Sequence, residues 1–246
     1  MKKSIVIVGV LVVGLFLSTS LVQAQPKQTN PASDIERGVF VHYPHANNGQ
    51  AKSGGTVFGD QVNDFKYSGV HWSGVAPIVN YKINPANNWG LSETEIIGAV
   101  EGAFQEWMNN NPADSRYIRF ADNGLTDLNT PANPSRDAAN TVSFEPLNSA
   151  YPNAIAVTFY WYNRGSKTLL ESDTVFNSDL PWSTSGNLAS YDLQNIATHE
   201  FGHWLVLGDL YTARDFALTM YGYGSLGETL KRDLGRGDIT GINKIY

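Results

Sequence analysis

The chain has 246 residues, of which 42% are apolar, and a formal net charge of −6. This length predicts one domain with at most a short appendage, and the apolar fraction excludes a disordered chain. Because the sequence has no large basic block, nucleic acid is not an expected partner. The absence of cysteine excludes disulfides, thiolate metal sites, cysteine nucleophiles and a cysteine-based latency device.

The N-terminus has the pattern of a secretory signal. Lys2 and Lys3 precede an apolar run from Ile5 to Leu17, and Val22-Gln23-Ala24 offers a cleavage site. The thirteen residues of the run fall short of the roughly 20 that a membrane helix needs. We therefore predict a signal peptide over residues 1–24, a secreted, extracellular mature protein and no stable membrane association. An uncleaved membrane anchor is the alternative.

The first half of the chain combines short strands with one helix. Residues 25–72 begin as a polar stretch and are expected to form an N-terminal segment, for which a pro-region is one interpretation. Ser92 followed by Glu95 is a capping box and predicts the start of a helix that runs to about Met108. Strands are predicted at residues 39–43, 75–83 and 117–120.

The second half of the chain predicts a hairpin followed by two helices. Strands are predicted at residues 141–144, 155–162 and 173–176, with a turn at residues 164–166. Ser190 is the expected N-cap of a helix that runs to about Leu207, and a third helix is predicted from Gly237 to Ile245. Because the strands mostly precede the two C-terminal helices, the order of elements predicts an α+β fold.

The motif that carries chemistry is H-E-F-G-H at residues 199–203, an H-E-x-x-H pattern. His199 and His203 are four residues apart on one helical face, which suits two imidazoles that bind one zinc ion at about 2.0–2.1 Å. Glu200 is rotated by about 100°, and is placed to take a proton from the attacking water and pass it to a leaving amine. The alternative is two helical histidines beside a solvated glutamate.

A catalytic zinc needs a third protein ligand, for which Asp209 is the candidate. In a continuous helix Asp209 would lie about 15 Å beyond His199 along the axis. The chain must therefore fold back between His203 and Asp209. Gly208 is the residue that suits a sharp left-handed turn there.

H-E-F-G-H followed by Asp209 resembles the metzincin signature H-E-x-x-H-x-x-G-x-x-H/D, and in particular its matrixin branch. Leu218-Thr219-Met220-Tyr221 looks like the Met-turn, whose methionine packs beneath the zinc site in metzincins. Residues 237–246 are similar to the closing helix of matrixin catalytic domains, and residues 191–198 resemble the entry to their active-site helix. The resemblance covers residues 73–246, which are expected to form the catalytic domain.

The resemblance implies an α+β metzincin (zincin-like) fold. Such a fold has a twisted mixed sheet, an N-terminal helix, an active-site helix and a small C-terminal subdomain that ends in a helix. It implies one catalytic zinc, held by His199, His203 and Asp209, with Glu200 as the catalytic residue. Val206 stands where the family has a glycine that lets the helix stop and turn. A β-branched residue is disfavoured at positive φ. We therefore expect either a helical or extended Val206 with Gly208 making the turn, or a distorted loop.

The resemblance also implies a cleft in which an extended protein or peptide substrate pairs with an edge strand. Residues 154–158, with Ala156 at their centre, most resemble that strand. Tyr221 and Tyr223 would wall the pocket for the residue after the cut, and simple packing is the alternative for both.

Other metal sites and roles follow less directly from the sequence. Calcium near Asp173 and Asp179 is an open alternative to simple solvation, whereas the absence of histidine from residues 121–185 predicts no second zinc. His42 and His45 either cap the zinc from a pro-segment or bind nothing, and their spacing without a helix favours binding nothing. Four acidic residues are equal candidates for such a cap: Asp34, Glu36, Asp60 and Asp64.

The sequence therefore favours a secreted zinc-dependent endopeptidase. A catalytically impaired metzincin-fold binding module and a zinc hydrolase of non-peptide substrates are the alternatives. The intact Glu200 argues against the binding module, because only chemistry requires it. The oligomeric state is not defined by the sequence, and a monomer is the default expectation.

Overall fold

The computed structural model describes residues 34–45, 61–110 and 117–246. The strands are β1 (Ile35–Pro44), β2 (Lys66–Tyr67), β3 (His71–Trp72), β4 (Ile78–Ile83), β5 (Arg119–Leu125), β6 (Thr141–Glu145), β7 (Ala156–Asn163), β8 (Thr168–Asn177), β9 (Trp182–Ser183), β10 (Tyr191–Asp192), β11 (Leu207–Gly208) and β12 (Tyr223–Gly224). The α-helices are α1 (Glu93–Asn109), α2 (Leu193–Trp204) and α3 (Arg236–Ile245), and two 3-10 turns lie at Ala213–Asp215 and Leu230–Arg232. The predicted signal peptide, residues 1–24, lies outside these ranges. None of the helices in these ranges has the length and apolar character needed to cross a bilayer.

Within the described ranges, eight strands form one mixed sheet in the order β12-β1-β7-β8-β6-β4-β5, with β3 also paired to β8. Strands β5, β4, β6 and β8 run parallel to one another, and β7 runs antiparallel to β8. Strand β1 then adds beyond β7, antiparallel to it. The α+β fold and its mixed sheet are confirmed.

Helices α1 and α2 pack together through aromatic side chains. The rings of Phe104 and Phe201 stack with their centroids 3.7 Å apart. The indole N–H of Trp107 donates to the carbonyl of Thr198 at 2.8 Å. Because Phe201 lies about half a turn from the motif histidines, these contacts direct the histidines away from α1.

A second cluster of buried side chains lies apart from the helices. Its members are Leu147, Ala154, Val157, Phe159, Trp161 and Val175, and Ile35 and Val41 of β1 pack against it. Successive side chains of a strand point to opposite faces. Since Val41 faces this cluster, Phe40 and His42 face the other side of the sheet, where α2 lies.

The predicted start of α1 is confirmed. The Ser92 hydroxyl accepts from the backbone of Glu95, and the Glu95 carboxylate accepts from the backbone of Ser92. The predicted start of α2 is wrong by two residues. Asp192, rather than Ser190, caps the helix through the N–H of Asn195 at 3.1 Å. Arg232 contacts the same carboxylate through Nε at 2.8 Å.

The predicted end of α2 is also wrong, because the helix stops at Trp204. The next residues tighten the turn, since the N–H of Val206 donates to the His203 carbonyl at 2.9 Å. Val206 itself adopts the left-handed conformation, with φ of 54°. The expectation that Val206 would be helical or extended and that Gly208 would make the turn is therefore wrong. Gly208 instead lies in β11, paired with Lys66.

Candidate metal centre and cleft

The two motif histidines are held by backbone carbonyls. Nδ1 of His199 donates to the carbonyl of Thr219 at 2.7 Å, and Nδ1 of His203 donates to the carbonyl of Leu207 at 2.7 Å. A carbonyl can only accept, so each ring carries its proton on Nδ1 and leaves Nε2 free as a ligand atom. Metal-binding histidines are oriented in this way in proteins.

Three donor atoms converge at the bend after α2. Oδ1 of Asp209 lies 3.2 Å from Nε2 of His199 and 3.5 Å from Nε2 of His203. Two ligands at zinc-bond length and a tetrahedral angle are about 3.3 Å apart. All three atoms are buried without a hydrogen-bond partner. Buried polar atoms are rarely left unpaired, so these residues fit a zinc ion.

The charges at this bend suit a metal site. Burial is the main cause that lowers the pKa of His199 to about 4, and the nearby His42 is the second, so the ring of His199 is neutral. Burial opposes ionisation of Asp209, but the imidazoles of His203 and His199 outweigh it and hold the pKa of its carboxyl well below the usual range. Burial acts against protonation of His203, but the Asp209 carboxylate outweighs it and raises the pKa of this imidazole. The neutral His199 and the ionised Asp209 are in the forms that bind zinc, and His203 would release a proton when it binds the ion.

Glu200 lies beside the three donor atoms and is fully buried. Oε2 accepts from the hydroxyl of Thr158 at 2.6 Å, and that hydroxyl is 2.8 Å from the hydroxyl of Thr174. Burial raises the pKa of Glu200, although His203 and His199 act against it. A carboxyl group with a raised pKa can accept and return a proton near neutral pH.

The segment that resembles a Met-turn packs against α2. A Cβ on Gly202 would meet Sδ of Met220 and the ring of Trp107, so a larger residue there would have to displace these side chains. The buried carboxylate of Asp238 in α3 accepts from the N–H groups of Thr219 and Met220 at 2.7 and 3.0 Å. Helix α3 thereby fixes the turn whose carbonyl orients His199.

The predicted substrate-binding residues lie on the two sides of β1. Ala156 of β7 pairs with His42, and Tyr223 of β12 pairs with Tyr43. The ring of Tyr221 lies edge-on to that of Tyr223, with centroids 5.6 Å apart. The structure therefore places Ala156 and Tyr223 directly beside β1, and Tyr221 against Tyr223.

Two further predictions concern His42 and calcium. The expectation that His42 binds nothing is wrong, because its Nδ1 lies 3.2 Å from Oε1 of Glu200. The alternative that His42 caps a zinc ion stays a prediction. The Asp173 carboxylate accepts from the N–H of Thr141 at 2.9 Å, and Asp179 accepts from the side chain of Asn148 at 3.0 Å. Neither belongs to the groups of three close metal-ligating side chains found in the described ranges. Calcium therefore stays an untested prediction.

Two of the acidic residues proposed as alternative caps have partners away from the metal centre. Asp34 accepts through its backbone carbonyl from the N–H of Arg164 at 2.7 Å. Glu36 accepts from the Tyr162 hydroxyl at 2.6 Å and pairs with Arg164. Asp64 pairs with Arg214. Asp60 lies outside the described residues.

The sequence offered His42 as one possible cap of the zinc, but it gave no sign of the contact of His42 with Glu200 or of the hydrogen bond from Thr158 to Glu200. Thr158 and Glu200 are 42 positions apart, and His42 and Glu200 are 158 apart. Contacts between residues so far apart in the chain cannot be predicted from the spacing of neighbouring residues. The alternation of β7 could have indicated only that Thr158 shares a face with Ala156 and Tyr160.

A metzincin-type catalytic domain is defined by three features together. They are the mixed sheet, the helix that carries H-E-x-x-H, and the Asp209 carboxylate beside the two motif histidines. Residues 71–246 match the family model described as Matrixin, and the chain belongs to the matrixin family of zinc metallopeptidases. Neutrophil collagenase of Homo sapiens is 30% identical to the chain over 156 residues, which are 63% of this chain and 30% of that protein. The chain thus spans less than a third of the length of this relative.

Proposed function

We propose that the protein is a secreted endopeptidase that cleaves protein or peptide substrates, with zinc held by His199, His203 and Asp209. The observation that carries this proposal is the convergence of three buried, unpaired donor atoms beside the buried carboxylate of Glu200. A binding surface has no need of a buried carboxylate next to metal ligands. The site therefore favours catalysis over a binding module.

When bound, zinc supplies the Lewis acid that activates a water molecule and the scissile carbonyl. Glu200 accepts the proton of the attacking water and delivers it to the leaving amine. The Thr158 hydroxyl holds one carboxylate oxygen at 2.6 Å, which leaves Oε1 directed toward the cleft. Water attacks directly in this scheme, and no side chain forms a covalent bond with the substrate.

The cleft suits an extended peptide. Strand β7 forms one wall and β12 forms the other, and both present backbone groups to a strand between them. An extended substrate gains affinity from such main-chain hydrogen bonds whatever its sequence. We assign Tyr221 and Tyr223 to the wall of the pocket for the side chain after the cut, because Tyr223 pairs with β1 and Tyr221 lies against Tyr223. We therefore assign a peptide rather than a small ester as the substrate.

A Glu200→Gln variant tests the catalytic assignment. Because β1 lies in the cleft, the assay uses a chain cut at a protease site introduced between residues 46 and 60 and diluted to release the N-terminal piece. We expect Glu200→Gln to keep one zinc per chain and to lower hydrolysis of a casein or peptide mixture by about 10²–10⁴-fold, the usual contribution of a general base.

The matched control is Glu101→Gln, which changes an exposed glutamate of α1. It should cleave the substrates at the parental rate. Hydrolysis by Glu200→Gln near the parental rate would exclude Glu200 as the base. A zinc-loaded parent that hydrolyses small esters but no peptide would favour the non-peptide hydrolase.

A further inference from the structure

Strand β12, one wall of the cleft, ends the sheet of the described residues, and its strand partner there is β1. Along an extended strand, the N–H and C=O groups of successive residues point to opposite sides. The carbonyl of Gly224 points to the cleft, where it accepts from the N–H of His45 at 2.9 Å. The carbonyl of Tyr223 and the N–H of Ser225 therefore point the other way, into the protein, where no described strand pairs with them.

Two side chains of opposite charge take the place of a strand behind β12. Nζ of Lys231 donates to the carbonyl of Tyr223 at 2.6 Å, and Oε2 of Glu228 accepts from the N–H of Ser225 at 3.0 Å. Nζ of Lys231 also lies 2.8 Å from Oε1 of Glu228. A donor meets the carbonyl and an acceptor meets the N–H, as in the ladder of a sheet. The ion pair therefore completes the hydrogen bonds of β12 on the side away from the cleft.

The burial of this ion pair is unusual for a lysine and a glutamate. Lys231 is fully buried and Glu228 is 6% exposed, although these residue types are almost never fully buried unless they are paired. Removing the two charges from water costs several kcal/mol per ion, so apolar side chains of similar volume often stabilise a fold as well or better. Stability alone therefore does not account for the pair. The two inward backbone groups of the wall do require a donor and an acceptor.

The backbone of Lys231 is fixed to α2, the helix that carries the metal motif. Its N–H donates to Oδ1 of Asn195 at 2.7 Å, and Asn195 lies four residues before His199 on the same face of the helix. The neighbouring Arg232 binds the N-cap carboxylate of Asp192 through Nε at 2.8 Å. The ion pair thus links the wall of the cleft to the helix that supplies two of the candidate metal ligands.

We propose that Lys231 and Glu228 are positioning residues of the cleft, and that their ion pair holds β12 so that Gly224 presents its N–H and C=O to an extended peptide. This inference rests on the proposed function, in which Tyr221 and Tyr223 wall the pocket for the residue after the cut. The pair therefore acts on the binding of substrate residues after the cut and not on those before it. Its contacts include none of the candidate metal ligands, so the chemical step does not depend on it.

Hydrogen exchange in the full chain tests the hold on β12 without any catalysis. The variant Lys231→Met/Glu228→Leu removes both charges together and leaves neither ion buried without its partner. Mass spectrometry of pepsin fragments that contain residues 222–226 measures the exchange rate of the wall. We expect exchange at least about tenfold faster than in the parent, because the wall loses hydrogen bonds that oppose local opening. Lys231→Arg, which keeps a charged donor, should exchange within about threefold of the parent.

The matched control is Glu171→Leu. Glu171 is also a fully buried glutamate that accepts from backbone N–H groups, those of Asp137 at 3.0 Å and of Ala138. Its loss unpairs buried groups elsewhere in the sheet and leaves the contacts of β12 in place. Exchange of residues 222–226 should therefore stay within about twofold of the parent in this variant, since distant sites act independently.

The Michaelis constant of two peptide substrates gives the second reading. The assay uses the zinc-loaded chain that is cut between residues 46 and 60 and freed of its N-terminal piece. The two peptides share the residues before the cut, and one ends a single residue after the cut whereas the other continues for several more. In the double variant the longer peptide should show a KM at least about fivefold higher with kcat nearly unchanged, as expected for a loss of uniform binding. The KM of the shorter peptide should not change.

Unchanged exchange of residues 222–226 in the double variant would overturn the proposal, and so would an equal rise in KM for both peptides. A fall in kcat with unchanged KM would also overturn it, because the pair would then act on the chemical step. If the parent hydrolyses neither peptide, the proposed function fails, and the exchange rates then decide whether the ion pair holds β12.

Discussion

The left-handed turn at Val206 predicts an unusual order of stability for two substitutions. Val206 is 1% exposed and has a φ of 54°. In Val206→Ala two buried carbon atoms are lost, at about 0.8 kcal/mol each before any cavity cost, and the unfavourable φ remains. We therefore expect this variant to lose about 2 kcal/mol of unfolding free energy.

Compared with Val206→Ala, Val206→Gly loses one more buried carbon. The greater freedom of glycine in the unfolded chain destabilises the folded state by a further 0.4–1 kcal/mol, roughly. In the opposite direction, glycine adopts the positive φ without the steric cost of about 1–2 kcal/mol that alanine retains. These amounts nearly cancel, so the glycine and alanine variants should be equally stable within about 0.5 kcal/mol. At an ordinary helical position glycine is the less stable of the two by about 1 kcal/mol or more.

Urea unfolding followed by tryptophan fluorescence measures both variants. The matched pair is Val100→Ala and Val100→Gly, since Val100 is fully buried in α1 with ordinary helical conformation. At position 100 the glycine variant should have a lower free energy of unfolding than the alanine variant. At position 206 the two variants should have nearly the same free energy of unfolding. The same gap between glycine and alanine at both positions would refute the assignment of strain to Val206.

Three further predictions concern packing, a buried acceptor and pH. Gly202→Ala should lower the melting temperature, costing about 1–3 kcal/mol, since its Cβ would lie 2.2 Å from Sδ of Met220; a more stable variant would contradict this packing. Asp238→Asn should lower the free energy of unfolding in urea by about 1–3 kcal/mol, because an amide nitrogen would face N–H groups that now donate to the carboxylate. An unchanged unfolding midpoint would count against this role. Burial raises the pKa of Asp173 from 3.8 to about 8, so its contribution to stability is full below pH 4 and is lost as the pH rises toward 8. Asp173→Asn should therefore match the parent near pH 4 and exceed its stability at pH 8, and parallel pH profiles of the two proteins would exclude this linkage.

Local sequence signals predicted the elements whose ends are decided locally. The capping box of Ser92 and Glu95 fixed the start of α1 because both partners lie within one turn. The start of α2 was misplaced because Ser190 and Asp192 are both good N-caps. The ion pair of Asp192 with Arg232, 40 residues away, favours the second. An ion pair between residues so far apart cannot be predicted from the local pattern of the sequence.

The turn after α2 shows the same limit in another form. Residue preference predicted a left-handed glycine at position 208, but Gly208 is held in an extended pair with Lys66. The burial of Val206 and the bond from His203 to the Leu207 carbonyl hold position 206 in the turn instead. Tertiary packing of this kind outweighs a local preference of about 1–2 kcal/mol.

The metal motif could be recognised because its spacing is local, whereas the position of His42 beside it could not be predicted. His199 and His203 reach one point through helical geometry alone. His42 reaches the same point through the pairing of β1 with β7, which depends on the whole sheet. The pattern Val-His-Tyr-Pro-His carries no sign of that pairing.

Zinc content tests the central claim of this account most directly. Zinc per chain is measured in the parent, in Asp209→Ala and in the control Asp127→Ala, which changes an exposed carboxylate. The account predicts one zinc in the parent and the control, and a large loss of zinc from Asp209→Ala under a weak chelator. Zinc binding that is indifferent to Asp209, or a parent that binds no zinc, would contradict the three-ligand site.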